Sequence, residues 1–264
     1  MEIVVGTRGS KLALWRAEYA VSRLRVRYPD RRFELKPISA RGDVVREVAV
    51  AEIGTRGVFV KEIQAALLSG EVDLGVHSLK DLPSETAPGI ALVAVSSRED
   101  HRDALLSRHG CPLVELPRGA RLGTSSPRRA AQLKAFRPDF VIESIRGNVD
   151  TRVRRAQESD PDSVVLAAAG LRRLGLDDRV AEYLPFSVML PAPGQGIIGV
   201  EARADDAEAL ALGGAIDGAP THLAARAERA FVRALGGDCT TPLGAHAVVQ
   251  AGAMHIHIHI EGAY

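Results

Sequence analysis

The chain has 264 residues, 46% hydrophobic and 25% charged, a balance that suits a soluble globular protein of two or three domains and rules out disorder throughout. Lys plus Arg total 34 against 33 acidic residues; the net charge of +1 and the 4% of aromatic residues argue against a nucleic-acid coat. No stretch reaches membrane-spanning length, residues 1–5 lack the charged start and long apolar core of a signal peptide, and two cysteines are too few for a disulfide scaffold, so a cytoplasmic protein is expected.

Residues 2–6 predict a buried strand, and Ser10 opens a helix whose apolar stripe is drawn by Leu12, Trp15 and Tyr19 with Leu14, Val21 and Leu24. Phe33 to Ser39 predicts a second strand. A helix from Gly57-Val58-Phe59 to near Gly70 is followed by a strand at Val72 to His77 that ends in Ser78-Leu79-Lys80-Asp81. This alternation predicts a mostly parallel sheet covered by helices, with ligands gathering beyond the carboxyl ends of the strands, where Arg8, Ser10, Lys80 and Asp81 fall.

After a strand at Ile90 to Val95, the polar stretch Ser96 to Arg102 reads as a crossing into a second lobe. That lobe is expected to hold strands at 121–123, 140–145 and 163–168, with helices at Ser126 to Phe136, after Asn148, and at Gly170 to Leu176. Pro191-Ala192-Pro193-Gly194-Gln195-Gly196 reads as the return crossing before a strand at Ile197 to Glu201. Helices follow at Ala207 to Ala215 and Thr221 to Leu235, and a Gly-rich loop around Cys239 introduces the closing strands.

Two segments of the second lobe set a Ser/Thr or Gly/Asn turn before a helix and surround it with arginines: Gly123-Thr124-Ser125-Ser126-Pro127-Arg128-Arg129 and Ile145-Arg146-Gly147-Asn148-Val149-Asp150-Thr151-Arg152. Unpaired N–H groups at a helix start, beside guanidinium forks, suit anions, and two such turns suit a ligand with several negative groups. Arg128 and Arg129 are expected to emerge beside those N–H groups. Asp81 reads either as a turn residue or as a carboxylate able to steady a cation or move a proton. Cys239 reads either as an inert small residue or as a reachable thiol. The alternation in Met254-His255-Ile256-His257-Ile258-His259-Ile260 predicts a half-buried strand, and no metal site is expected.

Taken together, Thr7-Arg8-Gly9-Ser10-Lys11-Leu12-Ala13-Leu14-Trp15, Arg41-Gly42-Asp43, Gly57-Val58-Phe59-Val60-Lys61-Glu62, Val76-His77-Ser78-Leu79-Lys80-Asp81-Leu82-Pro83, the two arginine-rich turns, Pro193-Gly194-Gln195-Gly196 and the Cys239 loop resemble the porphobilinogen deaminase family. The resemblance spans residues 3 to about 244 and any one motif would be weak. It implies an α/β fold of three domains, the first two resembling two-lobed type II periplasmic binding proteins with mixed, mostly parallel sheets and the third a small, shortened α+β domain. The expected boundaries are 1–96 with 197–215, then 102–191, then 219–264.

The resemblance further implies a transferase that builds hydroxymethylbilane from four porphobilinogen molecules with release of ammonia, primed by a dipyrromethane cofactor held through a thioether at Cys239. Asp81 would be its catalytic aspartate. Ser78, Lys80, Thr124, Ser125, Ser126, Arg128, Arg129, Arg146 and Arg152 would bind the cofactor, and Arg8, Ser10 and Gln195 the substrate. The expected partner is porphobilinogen alone, with no nucleic acid and no membrane, and the expected state is a monomer. Asp238, Glu52 and Arg56 depart from residues often found in the family. The runner-up from the residues themselves is a non-catalytic binder of polycarboxylates or phosphates, which would need neither a reachable thiol nor Asp81.

Overall fold

The computed structural model describes residues 2–38, 55–158, 161–237, 241–250 and 253–260, and for 55–59 the backbone. Arg41-Gly42-Asp43, Glu52, Asp238 and Cys239 lie outside the described residues, as does the Arg56 side chain. In chain order the elements are β1 (Glu2–Thr7), α1 (Lys11–Arg27), β2 (Arg32–Pro37), α2 (Thr55–Leu68), β3 (Leu74–Ser78), β4 (Ile90–Val95), β5 (Asp103–Ser107), β6 (Arg121–Gly123) and α3 (Pro127–Phe136). They continue with β7 (Val141–Glu143), α4 (Val149–Gln157), β8 (Ser163–Ala167), α5 (Ala168–Arg173), β9 (Glu182–Tyr183), β10 (Ile198–Arg203), α6 (Ala207–Gly214), α7 (Ala219–Ala234), β11 (Leu243–Gln250) and β12 (Ala253–Ile260).

The chain divides into two compact units, Met1–Arg98 with Ile197–Arg229 and Glu99–Gly196 with Ala230–Tyr264. In the first, the sheet order is β2-β1-β3-β10-β4; β1 runs parallel to β2 and β3, and β10 runs antiparallel to β3 and β4. The buried side chains of β1 and β3, such as Val5 and Leu74, meet Ala17, Ala20 and Leu24 of α1 in one core. Removing such apolar surface from water is the main favourable term holding helix to sheet. Gly75 is required in β3 because a Cβ there would stand 2.8 Å from Ile63 Cγ2 and 3.2 Å from His77 Nε2.

In the second unit the order is β7-β6-β8-β5-β9, with β6 parallel to β7 and β8, and β5 antiparallel to β8 and β9. Each sheet thus has three parallel strands, an antiparallel fourth and an outer fifth. β5 is absent from the sequence reading, because five residues after a charged stretch carry too little pattern to be told from a loop.

The same unit contains the antiparallel β11–β12 ribbon, in which Leu243 pairs with Ile260 and Gln250 with Ala253. The half-buried strand expected at the His/Ile alternation needs correction. β12 forms, but Ile256, Ile258 and Ile260 remain 43%, 48% and 52% exposed, and His255 and His257 are exposed on the other face. The buried residues of the ribbon lie on β11, where Leu243 and Ala245 pack with Val232 and Phe231, so β12 is its outer strand.

Candidate active site

In the first unit the site begins where β1 ends. Thr7 is buried and its hydroxyl donates to Ala13 O at 3.2 Å, while Ser10 caps α1 by accepting from the Ala13 N–H at 3.4 Å. These two bonds fix the turn that carries Arg8, which is half-buried. One strand over, β3 ends at the buried Ser78 and passes into a 3-10 turn, Leu79–Asp81, whose Leu79 N–H donates to Ile197 O at 3.0 Å. Leu79 and Leu82 pack into a core with Val60, Val95 and Ile197, which leaves Lys80 and Asp81 half-buried. Two apolar anchors therefore hold a turn with two charged residues at the carboxyl end of a parallel strand, the place expected for a ligand.

Arg16 joins this group without having been foreseen. It is 8% exposed on α1, among Ala13, Ala17 and Ala20. Burial lowers its pKa, the Asp81 carboxylate raises it again, and Arg8 lowers it further. No acceptor among the described residues meets its Nε–H. The expected apolar stripe of α1 was rotated: the buried face is Ala13, Arg16, Ala17, Ala20, Val21 and Leu24, while Trp15 is exposed and stacks on Tyr19 at 5.5 Å. Small alanines let the helix approach the sheet closely; of the expected stripe Val21 and Leu24 are buried and Tyr19 is partly buried against the core, whereas Trp15 stays outside. The usable signal was a single arginine at helical spacing among alanines.

Behind the same strand, His77 Nε2 lies 3.1 Å from Glu201 Oε2, and Gln64 Nε2 donates to both carboxylate oxygens at 3.0 and 3.2 Å. All three are buried. The Gln64–Glu201 bonds tie α2 to β10 with His77 of β3 beside them, a second group that sequence spacing did not show.

The second unit brings the two arginine-rich turns side by side. Ser125 Oγ donates to Ile145 O at 2.6 Å and accepts from the Ile145 N–H at 3.1 Å. Thr124 Oγ1 accepts from the Ser126 N–H at 3.2 Å, and Ser126 caps α3 ahead of Pro127. Asn148 caps α4 by accepting from the Thr151 N–H at 2.9 Å, with Gly147 at φ 110° before it. A Cβ at Gly147 would sit 2.8 Å from Thr151 Cγ2, and this backbone conformation favours glycine in any case. Arg146 is exposed and Arg152 donates from Nε to Gly147 O at 2.9 Å.

Arg128 and Arg129 do not emerge beside the free N–H groups as expected. They are 4% and 5% exposed and turn inward onto Asp103, whose two oxygens accept from Arg128 Nη2 at 2.6 Å and Arg129 Nη2 at 2.7 Å. Gln195 Nε2 adds a bond to Asp103 Oδ1 at 2.9 Å and another to His101 O at 2.8 Å. Asp103 is fully buried, and an ion buried that deeply is tolerable only with such partners. Cys111 is a half-buried free cysteine packed against an apolar core.

Residues 3–211 match the family model described as porphobilinogen deaminase, dipyromethane cofactor binding domain, and residues 222–263 match porphobilinogen deaminase, C-terminal domain. The chain belongs to the porphobilinogen deaminase family. It is 49% identical over 252 residues to the porphobilinogen deaminase of Syntrophomonas wolfei, covering 96% of this chain and 82% of that one. With that of Desulforudis audaxviator it shares 53% identity over 244 residues, covering 92% and 79%. In fold it is similar to a putative methionine-binding lipoprotein of Bacillus subtilis, with a TM-score of 0.51, 14% identity and coverage of 82% and 90%. A YaeC-family lipoprotein of Enterococcus faecalis gives 0.50, 15%, 82% and 91%. Both sheets are thus of the type II periplasmic-binding kind. Every described residue of the site falls within the segment matched to the cofactor-binding domain, and Cys239 falls within the segment matched to the C-terminal domain. No described helix is long and apolar enough to cross a membrane.

Proposed function

We propose that this chain joins four porphobilinogen molecules head-to-tail into hydroxymethylbilane, releasing one ammonia at each step, in tetrapyrrole biosynthesis. Family membership supports the reaction, and the observation that carries it to particular residues is the turn after β3, which sets Asp81 among Arg8, Arg16 and Lys80 in one unit. The residues present fit an acidic bound group: a buried Arg16 N–H lacks an acceptor among the described residues, and two capped helix starts carry hydroxyls and Arg146. When bound, the dipyrromethane cofactor supplies the free pyrrole α-carbon to which the first porphobilinogen is joined. We assign its thioether link to Cys239.

In this reading the protonated aminomethyl group of porphobilinogen leaves as ammonia, taking the electron pair of the C–N bond. The remaining azafulvene is cationic, and we assign stabilisation of that charge to the Asp81 carboxylate. Attack by an α-carbon forms the new C–C bond, and loss of the proton from that carbon restores the aromatic ring; we assign its transfer to Asp81. Ser78, Lys80, Thr124, Ser125, Ser126, Arg128, Arg129, Arg146 and Arg152 are assigned to the cofactor's acidic side chains, and Arg8, Ser10 and Gln195 to the substrate. The Asp103 cluster limits Arg128, Arg129 and Gln195 to whatever donors it leaves unused. We further assign residues 1–96 with 197–215, 102–191 and 219–264 to three domains, and place the enzyme in the cytoplasm as a monomer.

Two measurements test this reading. Purified protein given porphobilinogen is expected to release ammonia and form a linear tetrapyrrole. Its intact mass is expected to exceed that of the polypeptide, with the excess on the peptide that contains Cys239. A protein that binds porphobilinogen without consuming it supports the binder instead.

A further inference from the structure

Arg16 differs from the buried arginines of the second unit. Arg128 and Arg129 each pair directly with the Asp103 carboxylate through Nη2, and although Arg129 also keeps a buried Nε–H without an acceptor among the described residues, its charge is matched; Arg16 has a buried Nε–H with no acceptor among the described residues and no direct ion pair to Asp81, the carboxylate that acts on it through space. Arg8 sets a second positive charge near it. A buried charged donor left without an acceptor is unfavourable, and a site that keeps one is complementary to an anion that can complete it. The alanines on either side of Arg16 on the buried face of α1 add little bulk around its long side chain.

We propose that Arg16 is a carboxylate-binding residue of the active site, taking one acidic side chain of a bound pyrrole and so holding that ring beside Asp81. The inference rests on the function proposed above and adds to it a guanidinium that selects for acidic pyrroles. Its unmet N–H and its charge supply a charge-assisted bond that no other described group claims.

The test uses the holoenzyme and the pyrrole diacid that lacks porphobilinogen's aminomethyl group and so cannot lose ammonia. Two further probes each replace one of its acidic side chains by methyl. Arg16→Met is expected to raise the Kd of the diacid roughly 10- to 100-fold, the range of a hydrogen bond to a charged group. Deleting the matching acid is expected to weaken binding to wild type but to have no further effect on the variant. The thermal midpoint of unliganded Arg16→Met is expected to equal or exceed that of wild type, since a poorly compensated buried charge is removed. A purely structural role predicts the opposite: a lower midpoint and an unchanged Kd. If Arg16→Met does not fold, Arg16→Gln, which keeps a donor but no charge, is expected to show a smaller rise in Kd with the same dependence on one acid. Equal Kd values for wild type and folded variant, in a preparation that consumes porphobilinogen, overturn the role of Arg16 alone. A wild type that binds the diacid but releases no ammonia from porphobilinogen overturns the proposed reaction and leaves Arg16 to be judged by the Kd ratio.

Discussion

The two units repeat one design and treat its charge in opposite ways. Each follows its first parallel strand with a helix capped by serine, Ser10 before α1 and Ser126 before α3, and each buries arginine on that helix. In the second unit Arg128 and Arg129 share the carboxylate of Asp103 through direct bonds. In the first unit no carboxylate among the described residues pairs directly with Arg16, and Asp81 acts on it through space. Where a carboxylate pairs directly with the guanidinium the arginine belongs to the architecture; where none among the described residues does, the chain keeps binding capacity in reserve.

That contrast is most sharply broken at Asp103. Asp103→Ala would leave two buried guanidinium groups without their anion, and a loss of about 3–5 kcal/mol of stability is expected in denaturant titration. A loss well below 1 kcal/mol would mean that the cluster is not what holds these side chains. Asp81→Asn is expected to do the reverse, lowering kcat about 100- to 1000-fold with little change in the unfolding midpoint, as for a group that acts on developing charge. Near-normal turnover would remove Asp81 from the chemistry.

Smaller effects sharpen the comparison. Ser10→Ala and Ser126→Ala each remove a helix cap and are each expected to lose about 1 kcal/mol in chemical unfolding, alike in the two units because capping is local. Asp206 caps α6 by accepting from the Ala209 N–H at 2.9 Å; that backbone bond, with Arg203 beside it, lowers its carboxyl pKa despite partial burial. A lowered folded value means stability present above the ordinary carboxylate pKa of about 4 and lost as pH falls through the lower folded value. Asp206→Ala should therefore cost about 1 kcal/mol near neutral pH, and the gap from wild type should narrow in unfolding curves taken at progressively more acid pH.

Much of the scaffold was legible in the chain. Strand followed by polar turn and helix was readable at Ser10, Ser126 and Asn148 because a cap, a proline at the first helical position and a change of hydrophobic period all act over a few residues. Asp81 at a strand end was readable for the same reason. The inner face of α1 was legible only in part, at Val21 and Leu24 and, partly buried, Tyr19, since the alanines beside Arg16 carry a weak hydrophobic signal and Trp15, which carries a strong one, proved to lie outside. β5 was hidden by its shortness, and with it Asp103, which lies 25 residues before Arg128 in the chain. β12 showed that alternation predicts the strand but not what covers it.

The sequence alone determined the local elements, their caps and the set of residue types from which an acidic pyrrole site could be made. Tertiary structure decided which buried arginines among the described residues are paired directly with a carboxylate and which are not. The physical reason is that capping and hydrophobic period act between neighbours in the chain, whereas the worth of a charge depends on what burial removes from around it and which distant group the fold brings to meet it.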